Sequence, residues 1–263
     1  MRRTEKDILG TKELSEETLY GINTARALEN FALGQKKMNR ELVRAIVIVK
    51  KAAAGTYLKL KIGNEDVESA IINACDHILN HECDMEACFP LQALQGGAGT
   101  SANMNVNEVL ANLALLEMGH KPGEYDVIHP LDDVNRGQST NDVYPTALRL
   151  AAIRQLRLLS DACAKLQTAF QEKENLWQDV EKLGRTELMD AVPVTLGEEF
   201  GAYAQALARD RWRLYKVEER LRQVNIGGTA VGLSTNADRK YRFGVIEELR
   251  RLMENLNLMP LCR

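Results

Sequence analysis

The chain has 263 residues, 45% of them hydrophobic, which is enough for a sizeable core in one or two domains and excludes a disordered protein. Lysine and arginine total 34 against 37 acids, and the net charge of −3 gives no general reason to bind nucleic acid or an anionic membrane. The longest apolar runs, such as Ala45 to Val49, fall far short of the ~18 residues a membrane span needs, and no apolar segment follows the polar start Met1 to Asp7 as it does in an export signal, so the expected setting is the cytoplasm. The cysteines Cys75, Cys83, Cys88, Cys163 and Cys262 are odd in number and scattered, a pattern that favours reduced thiols there.

Residues 1 to 40 show no sustained period and carry turn formers at Gly10, Gly21 and Gly34, so an extended, looping arm is expected. Leu42, Ile46, Val49 and Ala53 recur at helical spacing and predict an amphipathic helix over 41–60; Val67, Ile71, Ala74 and Ile78 predict a second. Pro90 to Ser101 is glycine-rich and aperiodic. Met104, Val109, Leu113 and Leu116 then mark a third helix that stops near Gly119. Pro122 to Gly137 reads as a polar connection, which divides the chain into domains 1–138 and 139–263.

Beyond it the helices lengthen. Leu148, Ala152, Leu156, Leu159, Cys163, Leu166 and Phe170 predict a helix near 145–173 with Pro145 in its first turn. Leu196, Phe200, Tyr203, Leu207, Leu214, Val217 and Leu221 predict another near 195–223, packed beside the first as a bundle neighbour. Ile246, Leu249, Met253 and Leu256 form a last stripe that ends at Pro260. No run alternates β-branched with polar residues, so the expected class is all-α: an N-terminal helical domain followed by the first long helices of a bundle.

Four polar clusters fall in loops or at helix starts, where backbone donors are free and side chains can converge. The first runs from Gln95 to Glu108 and sets Gly96, Gly97 and Gly99 before Thr100, Ser101 and Asn103, a good arrangement for holding a carboxylate at a helix N-terminus. A cap and turn without ligand is the bland alternative. The relaxed dinucleotide pattern Gly97-x-Gly99-x-x-Ala102 has no strand before it. The second cluster, Gly137-Gln138-Ser139-Thr140-Asn141-Asp142, holds two hydroxyls and two amides within four residues, more than the single cap a helix needs. In the third, Gly184 to Pro193, Arg185 either pairs with Glu187 or Asp190 in a solvated hairpin or serves a site. The fourth, Gly227 to Gly232, is a flexible loop or a helix C-cap. His77, His81, Cys83 and Cys88 are loosely zinc-like, yet their spacing matches no closed site, and no metal is expected.

Together these clusters resemble the aspartase/fumarase superfamily, and within it the aspartate ammonia-lyases. Tyr20 to Phe31 resembles the family's N-terminal arm, and the clusters occur in family order. The resemblance implies a homotetramer with a helical core and composite active sites built from three subunits, acting on aspartate or fumarate without an organic cofactor. It implies that Thr100, Ser101, Asn103, Ser139, Thr140 and Asn141 grip the substrate carboxylates and that Thr186 and Glu187 are contributed by a neighbouring subunit. Removal of a proton beside a carboxylate gives an aci-carboxylate dianion, and preorganised donors at helix N-termini suit that charge.

The chain departs from the family pattern in three places. Glu187 stands where histidine or glutamine is usual, and two unit charges ~4 Å apart at an effective dielectric of ~20 repel by about 4 kcal/mol. Leu233-Ser234-Thr235-Asn236 replaces a threonine-glycine-leucine-asparagine form. No segment matches the family's glycine-serine-serine loop, which carries the serine base, so the base is expected on a missing C-terminal part or separate partner chain and the isolated chain is expected to be inactive. A fumarate hydratase and a non-catalytic structural or regulatory paralogue remain as alternatives.

Overall fold

A computed structural model describes residues 2–34, 36–80, 83–254 and 256–261; His81 and Cys262, named above, lie outside them. In chain order the elements are β1 (Arg2–Asp7), β2 (Gly10–Ser15), α1 (Ile22–Asn30), α2 (Arg40–Leu60), α3 (Glu65–Leu79), α4 (Met85–Cys88) and α5 (Thr100–Glu117). There follow α6 (Thr140–Leu176), β3 (Glu181–Thr186), β4 (Met189–Thr195), α7 (Leu196–Leu221), β5 (Gln223–Val224), α8 (Arg239–Leu252) and β6 (Met259–Pro260). Helix dominates, and the strands form only two-stranded pairs among the described residues: β1–β2 and β3–β4 antiparallel, β5–β6 parallel. No helix among them is long and apolar enough to cross a membrane.

Two compact units result: Met1–Ala151 with Arg222–Arg263, and Ala152–Leu221. The division therefore runs inside α6 rather than at 138/139, because Val143, Ala147 and Leu150 of its first turns are buried in the first unit.

In the first unit the expected looping arm is a hairpin followed by a helix. No apolar period announces the hairpin because polar bonds hold it. The Arg3 guanidinium donates to the carbonyls of Ser15 (2.8 Å), Thr18 (2.6 Å) and Tyr20 (2.9 Å) and pairs with the buried Glu5. The next two helices follow their sequence signals. Asn39 and Asn64 cap α2 and α3 by accepting from Glu41 N and Asp66 N, and Glu65, Asp66 and Glu68 place negative charge in the first turn of α3.

Helix α2 packs against α3, α5 and α8. Its Gly55 lets α8 approach closely: a Cβ there would lie 3.2 Å from Glu248 Oε1, and one on Gly244 of α8 would lie 2.8 Å from Thr56 Cγ2. Helix α8 ends at Leu252, short of the expected Pro260, because the chain folds back on it; the Arg250 Nε donates to the Leu258 carbonyl at 2.8 Å, and Leu256 and Leu258 are buried.

The period assigned to α5 holds at Met104 and Val109 but fails at its end, where Leu115 is buried and Leu116 exposed. From Ala102 to Leu115 this helix is buried on most sides, and Asn103, Asn105, Asn107, Glu108 and Asn112 are buried with it. Each serves an irregular segment or a helix start. Asn105 Nδ2 donates to the Cys88 carbonyl (3.0 Å), and Asn112 Nδ2 donates to the Leu19 carbonyl (2.7 Å). The Glu108 carboxylate accepts from the N–H groups of Gly21 (2.9 Å), Asn23 (2.8 Å) and Thr24 (3.1 Å) and from the Thr24 hydroxyl (2.6 Å), which caps α1 from outside.

In the second unit the expected side-by-side packing is present. Arg157 meets Glu218 at 2.9 Å, Gln167 meets Arg211 at 3.0 Å, and Phe170 lies against Phe200 and Tyr203, so the two helices run antiparallel. Much of the stripe has no cover: Leu159, Leu166, Tyr203 and Val217 are exposed. Pro145 sits in the second turn of α6, not the first, since the helix begins at Thr140. The third cluster is the β3–β4 hairpin, whose turn residues Glu187 (φ 51°) and Leu188 (φ 68°) both adopt positive φ, as a two-residue hairpin turn demands.

Glu108→Ala removes the acceptor of four buried donors and is expected to cost about 3–5 kcal/mol, whereas Glu108→Gln, which turns one acceptor into a donor, should cost about 1–3 kcal/mol. Urea unfolding of both variants reads the difference. A loss under about 0.5 kcal/mol for the alanine variant would show that the carboxylate is not what holds α1.

Candidate active site

The start of α5 is shaped by Gly99, whose φ is 87° and whose hypothetical Cβ would lie 2.3 Å from the Tyr144 ring of α6. Only glycine lets the two helix starts come so close. Having no side chain, Gly99 cannot cap, and Gln95 Oε1 accepts from Ala102 N at 2.7 Å instead. The N–H groups of Thr100 and Ser101 therefore head the helix with no intrahelical acceptor, at the positive end of its dipole. Thr100 is exposed; Ser101 is half-buried beside a cavity of about 950 Å³ also lined by Arg26, Met104 and Tyr125.

At the start of α6, Ser139 is the cap. Its Oγ accepts from Asn141 N at 3.2 Å, and Asp142 Oδ1 reaches back to accept from Ser139 N at 2.9 Å, a reciprocal capping box. Thr140 and Asn141 are thereby left for other work. Thr140 Oγ1 accepts from Asn103 Nδ2 at 3.2 Å, so its own proton is free to donate, and the exposed Asn141 donates from Nδ2 to the Ala230 carbonyl at 2.9 Å.

The buried Asp142 ties in the fourth cluster: its Oδ2 accepts from Gly227 N (3.1 Å) and Thr229 N (2.8 Å). Burial raises its carboxyl above the ordinary range, and the backbone donors and the Lys50 ammonium oppose that shift. A cavity of about 310 Å³ lies here, lined by Asn141, Asp142, Asn225 and Gly228 to Gly232.

Thr100, Ser101, Asn103, Ser139, Thr140 and Asn141 thus belong to one unit, where the Asn103–Thr140 bond joins the first cluster to the second. Thr186 and Glu187 belong to the other unit and are exposed at the end of the β3–β4 hairpin. In that hairpin Arg185 Nε pairs with Asp190 at 3.2 Å, as its spacing allows. Among the described residues no three His, Cys, Asp or Glu side chains gather as a metal cluster.

Beneath the two helix starts lies a group that the motif reading missed. Lys50 of α2 is fully buried and donates to Asn135 Oδ1 (2.6 Å) and Gln138 Oε1 (3.0 Å). Asn135 Oδ1 also receives Asn103 Nδ2 (3.1 Å) and Asn107 Nδ2 (3.4 Å), while Asn103 Oδ1 and Asn107 Oδ1 find no partner among the described residues. A signal was present: Lys50 falls four residues after Ile46, on the apolar face of its helix.

Burial lowers the Lys50 ammonium from 10.5 to about 7, against the pull of Asp142 and Cys75 toward the charged form. For a base so depressed, the stability contribution is complete above the unfolded value and is lost as pH falls through the folded one. The unfolding free energy of the native chain, relative to Lys50→Met, is therefore expected to rise between pH about 7 and 10.5. Urea titrations across that window measure it, and a flat or falling difference would contradict a neutralisable Lys50.

A profile of the family described as Lyase matches residues 10–259. The chain is 46% identical over 241 residues to the aspartate ammonia-lyase of Escherichia coli (strain K12), covering 91% of this chain and 50% of that protein. It is 43% identical over 247 residues to the aspartate ammonia-lyase of Bacillus subtilis (strain 168), covering 94% of this chain and 52% of that one. Among solved structures, the fumarate lyase:delta crystallin from Brucella melitensis bound to cobalt superposes with a TM-score of 0.95 at 46% identity, covering 99% of this chain and 56% of that one. The class II fumarase from Schistosoma mansoni follows with a TM-score of 0.91 at 32% identity, covering 98% of this chain and 54% of that one. The chain spans about half the length of these relatives. The adjoining helix starts at Thr100 and Thr140 are thus features of a chain that belongs to the lyase family, within the superfamily of aspartases and fumarases.

Proposed function

We propose that this chain supplies the carboxylate-binding part of an aspartate ammonia-lyase, which reversibly eliminates ammonia from L-aspartate to give fumarate in the cytoplasm. The observation that carries the reading is the Asn103–Thr140 bond, which sets the N-termini of α5 and α6 side by side with unused donors on both. The Thr100 and Ser101 N–H and hydroxyl groups meet one carboxylate of the substrate. The Thr140 hydroxyl, its lone pair engaged by Asn103, and the Asn141 amide meet the other, and the Ser139 hydroxyl proton adds a donor beside them.

As the proton leaves the carbon next to a carboxylate, negative charge grows on that carboxylate's oxygens, and donors already in place stabilise it without reorganising. The proton acceptor belongs to a C-terminal segment or partner chain, and Thr186 reaches the site from another copy in a homotetramer. The exposed apolar stripe of α6 and α7 supports assembly, because each fully buried large aliphatic side chain contributes ~1.5–3 kcal/mol. The reading stands above fumarate hydration on the identities, 46% to an aspartate ammonia-lyase against 32% to a class II fumarase.

The test is calorimetry with aspartate and fumarate on the chain assembled with the complementary C-terminal half of an aspartate ammonia-lyase. Thr100→Ala and Asn141→Ala should each weaken binding about 10–100-fold, the worth of a hydrogen bond to a charged group. Unchanged affinity in both would reduce the two clusters to helix caps, and malate formation from fumarate without ammonia release from aspartate would select the hydratase. In the same assembly Glu187→Gln should raise kcat/KM for aspartate by removing a like charge; a fall would assign Glu187 a positive role in the site.

A further inference from the structure

Lys50 is wholly buried, and its ammonium donates to two neutral amide oxygens, Asn135 Oδ1 (2.6 Å) and Gln138 Oε1 (3.0 Å). Burying a charge against neutral amides costs desolvation that they do not fully return, and an apolar side chain would hold the place at no such cost. Stability alone therefore gives no reason for a lysine here. What an ammonium has, and no apolar or amide side chain has, is polarity of one sign: three donors and no acceptor.

That single sign propagates toward the candidate site. Facing an ammonium, Asn135 must turn its oxygen to Lys50, and its Nδ2 then donates to the Gln138 carbonyl at 3.2 Å. Gln138 is turned in the same way, with Nε2 directed at the carbonyls of Val134 (3.1 Å) and Arg136 (3.3 Å). Both ends of Asn135 thus depend on Lys50, one directly and one through the residue it also holds. Asn103 comes next. It must offer Nδ2 to Asn135 Oδ1 (3.1 Å), because its own oxygen there would set acceptor against acceptor. The same Nδ2 reaches Thr140 Oγ1 (3.2 Å) and fills a lone pair of the hydroxyl. Asn103 Oδ1 is left buried without a partner among the described residues, although half a turn of the amide would bring it to the Thr140 proton. The orientation that leaves this acceptor unpaired is the one that Lys50 imposes.

We propose that Lys50 is a positioning residue of the carboxylate site: through Asn135 and Asn103 it keeps the Thr140 hydroxyl proton from being spent inside the protein and leaves it to the substrate. The proposal rests on the reading that Thr140 meets a substrate carboxylate. Without the ammonium, Asn135 and Asn103 are free to reverse. Thr140 then gives its proton to Asn103 Oδ1 and turns a lone pair toward the negative charge of the substrate.

The experiment is calorimetry with fumarate and aspartate at about pH 6, where the Lys50 ammonium is charged, on the same assembly with the complementary C-terminal half. Lys50→Met and Thr140→Val should each weaken binding about tenfold, the loss of one hydrogen bond to a charged group. In the Thr140→Val background, Lys50→Met should cost less than about twofold more, because the hydroxyl it orients is gone. Direct attraction of the substrate by the ammonium, or a merely structural role, would cost the same in both backgrounds. Because Lys50→Met alters a buried network, Lys50→Gln is the second arm. An amide can meet Asn135 with either end, so this variant should weaken binding in the native background and not in Thr140→Val. If Thr140→Val binds as tightly as the native chain, the carboxylate reading of Thr140 falls and the proposal falls with it. Where Thr140→Val does weaken binding, full affinity in both Lys50 variants, or losses that add to that of Thr140→Val, would overturn the role of Lys50 and leave the carboxylate reading standing.

Discussion

A polar group taken out of water must find a partner inside, at a cost of about 1–3 kcal/mol if it does not, and that constraint organises the first unit around α5. Five of its buried positions are amides or a carboxylate, Asn103, Asn105, Asn107, Glu108 and Asn112, where an ordinary buried helix would carry aliphatic side chains. Glu108 binds the start of α1, Asn105 the end of α4, Asn112 the segment before α1, and Asn103 the start of α6. The helix acts as a rod whose side chains complete the backbone hydrogen bonds of neighbouring loops and caps. Such bonds are directional, so they set positions that apolar packing would leave loose.

The same logic carries the candidate site. Asp142 is spent on backbone donors, one from its own cap and two from the loop at Gly227 to Thr229, so one carboxylate joins the second cluster to the fourth. Lys50 lies below, bound by two side-chain oxygens and opposed by burial. With Asn135 between Lys50 and Asn103, the charge on one buried amine bears on an amide that touches Thr140. Two acceptors in this network, Asn103 Oδ1 and Asn107 Oδ1, have no partner among the described residues, which leaves part of the polar cost of burial unrelieved here.

The second unit obeys a different rule. Its antiparallel helices meet at Phe170, Phe200 and Tyr203, and Gly197 and Gly201 let α7 approach the Glu174 turn of α6. Beyond that seam many of its apolar residues are exposed, Leu158, Leu159, Leu166, Trp212 and Val217 among them. A helix pair has one shared seam, and an apolar stripe wider than the seam stays in water unless other chains cover it.

The helical class, the extent of α2 and the existence of α3 and of both long helices were legible in the sequence because their cores are apolar and one-sided, so burial writes a helical period into the residues. The candidate residues of the first two clusters were legible because hydroxyls and amides were more numerous than caps require. The β1–β2 hairpin was not, since Arg3 and Glu5 hold it with polar bonds that have no period, and the end of α5 was misread because a helix buried on most sides has no stripe to read. Only the tertiary structure decided that Ser139 spends its oxygen on a cap while Thr140 meets Asn103, and that Lys50 is buried beneath the two helix starts and donates to Asn135 and Gln138. These facts depend on which groups lose water together. That is a property of three-dimensional neighbours, and local composition cannot encode it.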